Sequence, residues 1–78
     1  MDNAVVMRVL HQQAGAVVFA EFWIARGRPE RHGPFIRTGS LTFGADEWAA
    51  ARAGFRHGGL AHVELIDVAT VDREAALS

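Results

Sequence analysis

The sequence predicts an α+β domain: an antiparallel sheet of about four strands, in the order β-β-β-α-β, packed on one main helix. Three observations carry that prediction. Residues 16–25 (AVVFAEFWIA) are dense in β-branched and aromatic side chains, the composition of a strand. Between residues 45 and 57 the apolar positions change to helical spacing. Over residues 60–68 (LAHVELIDV) alternation returns, so a strand follows the helix.

The first strand is expected over residues 4–11, rich in Val and Leu, and it stops at Gln12-Gln13-Ala14-Gly15. Gly15 supplies the turn into the second strand, residues 16–25. Along that strand Val18, Ala20, Phe22 and Ile24 share one face, and Val17, Phe19, Glu21 and Trp23 share the other. Both faces are largely apolar, so neither is expected to be simply solvated. Next comes RGRPERHGP, residues 26–34. Pro29 and Pro34 lack the amide proton that a ladder needs, so the middle of this segment is expected to leave the sheet. The third strand is expected over residues 35–43, with Gly39 marking a bulge or a close backbone approach.

The helix is expected over residues 45–57. Asp46 and Glu47 fall in its first turn, where the helix dipole favours negative charge. Trp48, Ala51, Arg52 and Phe55 recur at i, i+3, i+4 and i+7 and form one stripe. Arg56 and His57 followed by Gly58-Gly59 make a stop signal. After the fourth strand, Thr70 is placed to cap a short final helix ending at Leu77. Residues 1–78 read as one small domain with no internal repeat.

One helix can cover only one face of the sheet. The opposite face is therefore expected to show Phe19, Trp23 and alternate residues of the first strand, with Val17 beside them. An apolar patch of that kind marks an interface. A homodimer, paired sheet to sheet or edge to edge, would cover it and enlarge a thin core. The self-association or partner surface is assigned to Val17, Phe19 and Trp23.

Composition excludes several classes of function. The 78 residues carry a formal charge of −1 and no cysteine. A disulfide scaffold, thiol catalysis and cysteine–zinc sites are thereby ruled out. No apolar run approaches bilayer length and no signal-peptide pattern opens the chain, so a cytoplasmic location and no membrane partner are expected. His11, His32, His57 and His62 stand at no metal-ligand spacing with acids, and no Ser/His/Asp order, nucleophile elbow or phosphate loop can be assembled. A non-enzyme without cofactor or metal is the expectation. All eight basic residues are arginine, a compositional association with high-GC genomes such as those of actinobacteria or their phages.

Charge is nevertheless polarised. Arg26, Arg28, Arg31 and Arg37 stand against Glu30 alone, a local +3, while the remainder carries −4. The core Arg26-Gly27-Arg28-Pro29 resembles an AT-hook, whose Arg-Gly-Arg-Pro lies in the minor groove of A·T-rich DNA. A narrow groove concentrates negative potential and accepts arginine. These four arginines are the candidate nucleic-acid contacts, set against an ordinary solvated loop.

Gly33-Pro34, Leu41-Thr42-Phe43, Glu47-Trp48 and Gly54 occur in an order that resembles the C-terminal half of a short actinobacterial domain of unknown function, family 397 of that series. Apart from Gly33-Pro34, whose spacing to Leu41 is longer than in the family, the likeness is confined to residues 41–58. This chain departs from the pattern upstream, where the family's cysteine and Arg-Asp-Ser motif are absent, and downstream, where it adds a strand. The resemblance implies a small regulatory partner protein, associated with helix-turn-helix regulators. It brings no catalytic residues, and it gives Trp48 and Glu47 structural roles. A phage inhibitor of a host protein fits the same size and composition.

Overall fold

The computed structural model describes residues 3–57 and 62–78. Their elements are β1 (Val5–Ala14), β2 (Val17–Arg28), β3 (Arg31–His32), β4 (Ile36–Gly44), α1 (Ala45–His57), β5 (His62–Asp67) and α2 (Arg73–Ala76). The architecture is α+β, with one main helix on a mixed sheet. The Gly58-Gly59 stop signal and the expected strand start at residues 60–61 lie outside the described residues.

β1 and β2 form a hairpin in the register Ala14↔Val17, which leaves a two-residue turn at Gly15-Ala16. Gly15 has φ +60°, and among the described residues only glycines have positive φ. One positive φ at the first turn position matches the type II′ turn that suits the twist of a hairpin. β4 lies antiparallel on the other side of β2. β5 joins the free side of β1 in parallel, the one pairing that departs from the antiparallel expectation. Its cause is the crossover: α1 carries the chain back across the sheet, so β5 starts again in the direction of β1.

β2 runs three residues beyond its expected end, and β3 pairs back onto it through Gly27↔His32 and Arg28↔Arg31. Both prolines lie outside the ladder as expected, Pro29 with Glu30 in the turn and Pro34 beyond β3, but Arg31-His32 between them return to it. Pro29 does not prevent this, because it falls in the two-residue turn, where its fixed φ is an advantage. Gly27 is the required residue here. It has φ +122°, and a Cβ at this position would lie 2.5 Å from the carbonyl oxygen of Arg31. Only glycine tolerates that conformation and approach.

On the helix side of the sheet the core consists of Val9, Val18, Ala20 and Trp48, with Met7, Phe22, Phe43, Ala51, Phe55, Val63 and Leu65 packed around it. Trp48 is 8% exposed. Its ring centroid lies 5.1 Å from that of His11, 5.3 Å from that of Phe43 and 6.2 Å from that of Phe55. Burial beside this cluster holds the His11 imidazole below its ordinary pKa; Asp67 opposes the shift and Arg52 adds to it.

The opposite face is not bare, which corrects the one-helix argument. Val6 and Leu10 lie on it and are buried, as is Ala25. Two peripheral pieces cover them. After β5 the chain turns at Asp67, whose carboxylate accepts from the Ala69 amide and whose carbonyl accepts from the Thr70 amide and hydroxyl. It then returns as α2, capped by Asp72 rather than Thr70, with the Glu74 amide donating to Asp72 Oδ1 at 2.7 Å. The second piece is Phe35, whose ring lies 4.5 Å from the Arg8 guanidinium carbon. Arg8 joins the pieces: it donates to Glu64 at 2.7 Å, to the Ala76 carbonyl at 2.7 Å and to the main-chain oxygen of Ser78 at 2.9 Å.

Candidate interaction surfaces

The structure separates the three residues of the expected partner surface. Phe19 is 52% exposed, whereas Val17 and Trp23 are half-buried. The Trp23 ring sits under Arg73, at 5.8 Å, and its buried indole N–H has no hydrogen-bond partner among the described residues. Arg73 is held in turn by a two-point pairing with Glu21, at 2.8 and 3.0 Å. Trp23 thus belongs to the contact between α2 and the sheet, and Phe19 remains outward.

Other exposed apolar residues gather where sequence reasoning did not look. Leu41 and Ile36, both on β4, are 55% and 66% exposed. Phe19 is opposite Thr42 in the β2–β4 register, so it flanks the same strand from the other face. Ile24, Gly33, Pro34, Ile36 and Thr38, with Arg26, line an open apolar groove of about 510 Å³ at the start of β4. The signal in the sequence was FIRTGSLTF itself, a strand with Arg37 as its one charge.

β4 pairs with β2 on one side, and among the described residues nothing pairs with its other side. Its hydrogen-bond phase follows from its end. The Ala45 amide donates to the Ala16 carbonyl at 2.8 Å, so by alternation the peptide groups of Phe43 and Leu41 face β2. Those of Gly44, Thr42 and Ser40 point out of the sheet. Natural edges are guarded by charges, prolines or bulges. Here the guards are Arg37 and a register shift between Phe22 and Trp23, opposite Thr38. Residues 38–44 have neither charge nor proline.

The arginine cluster also divides. Arg26, Arg28 and Arg31 are exposed at the β2–β3 hairpin, and Arg28 stands directly across from Arg31. Arg37 pairs across from Trp23, on the α2 face of the sheet, 3.7 Å from Glu21. His57 and His62 are exposed, with His62 3.7 Å from Glu64. Among the described residues no group of three His, Cys, Asp or Glu is arranged to hold a metal ion, and no helix is long and apolar enough to cross a membrane. Comparison of the chain with protein-family models, with curated proteins and with solved structures found no match.

Proposed function

We propose that this chain is a noncatalytic, homodimeric interaction module of regulatory type that engages its partner along the β4 side of the sheet. The observation that carries the reading is the placement of Phe19, Ile36 and Leu41. Among the described residues, three of the four large apolar side chains left exposed lie on or beside one strand with an open edge. Scattered exposed apolar residues need no explanation, but a group beside an open edge is what a protein interface presents. The regulatory role rests on the resemblance of residues 41–58 and on the absence of a readable catalytic set in the sequence.

Phe19→Arg tests the reading. The side chain is half in solvent, so the variant is expected to keep its stability to within about 0.5 kcal/mol. Self-association, measured by sedimentation equilibrium, is expected to weaken by about tenfold or more. Unchanged association in a folded variant would remove Phe19 from the interface. Trp23→Arg is not an equivalent probe, because it would set a second guanidinium beneath Arg73.

A second reading is favoured by one observation: Arg26, Arg28 and Arg31 are exposed together at one hairpin. Three exposed guanidinium groups on one hairpin make a local positive patch of the kind that contacts phosphates. A chain using three arginines on phosphates is expected to bind duplex DNA with a log–log salt slope of about −2.7. Removing two in Arg28→Ala/Arg31→Ala would reduce it to about −0.9. Fluorescence anisotropy with A·T-rich and mixed duplexes reads both. Absence of binding at low salt ends this alternative.

A further inference from the structure

We infer that the partner of β4 is β4 of a second copy, paired antiparallel about a two-fold axis beside Leu41 so that two sheets become one. This deepens the proposed function and rests on it. The phase of the edge restricts the register. Since the outward peptide groups belong to Ser40, Thr42 and Gly44, a symmetric pairing must join even-numbered residues. Centred on Leu41, Ser40 of each copy exchanges hydrogen bonds with Thr42 of the other, and Thr38 meets Gly44. This register uses residues 38–44, the whole stretch between the bulge and the first residue of α1. A centre at Ser40 would carry the ladder across the bulge, and a centre at Thr42 would run it into α1.

Side chains agree with the same register. Leu41 meets the second copy's Leu41 in a non-hydrogen-bonded pair, the closer of the two pair types. Phe43 meets the second copy's Gly39, above which a side chain would find nothing within 4 Å. Arg37, the one charge on the strand, lies beyond the bulge on the α2 face beside Glu21 and outside the paired stretch. No like charges oppose each other anywhere along the ladder. A strand whose paired stretch supplies an apolar centre, an open position across from its phenylalanine and no charge is complementary to itself, as a two-fold interface requires.

The absence of native cysteine makes the test direct. In a Leu41→Cys variant the two thiols would face each other with Cα atoms about 4.5 Å apart, within disulfide reach. In Ser40→Cys the thiols would sit diagonally, about 7–8 Å apart, at or beyond it. Under mild oxidation, Leu41→Cys is expected to cross-link at least about ten times faster than Ser40→Cys. Thr42→Pro removes an outward amide and leaves the β2 ladder intact, as edge strands allow. It is expected to yield a monomer with unchanged circular dichroism and melting temperature. A wild-type dimer whose position-41 cysteines cross-link no faster than those at position 40 would overturn the pairing and leave the homodimer reading standing. A wild type that light scattering finds monomeric at the highest soluble concentration would overturn both.

Discussion

Trp48→Ala is expected to abolish cooperative folding, or to leave a protein with most of its stability gone. Trp48 is the largest buried side chain of α1 and packs against His11, Phe43 and Phe55. Truncating a buried tryptophan costs about 3–5 kcal/mol, through lost transfer energy and the cavity left behind. A domain this small stands near the lower end of the roughly 5–15 kcal/mol that hold native proteins together. It has little in reserve, because the fully buried side chains around Trp48 are only valines and alanines. Urea denaturation followed by far-ultraviolet circular dichroism checks the effect. Trp48→Phe, which retains part of the aromatic contact, is expected to lose clearly less. A Trp48→Ala midpoint close to that of the wild type would show that α1 does not anchor the fold.

The helix was readable because Trp48, Ala51 and Phe55 repeat at a helical period while Asp46, Glu47, Arg56 and His57 suit its ends. Local chemistry and tertiary packing agree there, and α1 spans the expected residues 45–57. The two faces of β2 were equally plain, since alternation is a property of one strand. What covers the second face was not. α2 is one turn long and has little intrinsic tendency to form; Arg8, distant in sequence, ties it down through the Ala76 carbonyl and the main-chain oxygen of Ser78 beyond it. Parallel pairing of β5 is similarly nonlocal. The four arginines formed a cluster in sequence, but the bulge near Thr38 shifts β4 by one residue and sends Arg37 to the α2 face beside Glu21. A one-residue slip reverses which face every later side chain meets. Gly39 marked a bulge in the sequence and the slip falls beside it at Thr38, but nothing in residues 26–37 encodes which face it gives Arg37. The open β4 edge was hidden for a related reason, because strand order decides which strand is left with one side unpaired.

Arg8→Met is expected to destabilise the protein by about 2–3 kcal/mol, somewhat under the range for a fully buried pair because Glu64 is partly solvated. The Arg8 side chain is 13% exposed and that of Glu64 33%. Methionine keeps the apolar stem beneath Phe35 and removes the donors. Three acceptors then lose their partner together: the Glu64 carboxylate, the Ala76 carbonyl and the main-chain oxygen of Ser78. Among the described residues Glu64 then retains only His62, at 3.7 Å, as an ion-pair neighbour, too far for a strong bond. Much of the cost therefore comes from a half-buried carboxylate left without its cation. Adding Glu64→Gln to Arg8→Met is then expected to recover part of the loss, a coupling that a double-mutant cycle measures. The untied α2 gives a second readout. With its carbonyls released, α2 should lift from the sheet, water should reach the buried indole N–H of Trp23, and Trp23 emission should shift to the red at denaturant concentrations where the fold is intact. A Trp48→Phe background isolates that signal, since the chain has two tryptophans. If Arg8→Met leaves both stability and Trp23 emission unchanged, α2 is held by apolar contact through Ala76 and Leu77, and the cluster around Arg8 has no part in closing the second face.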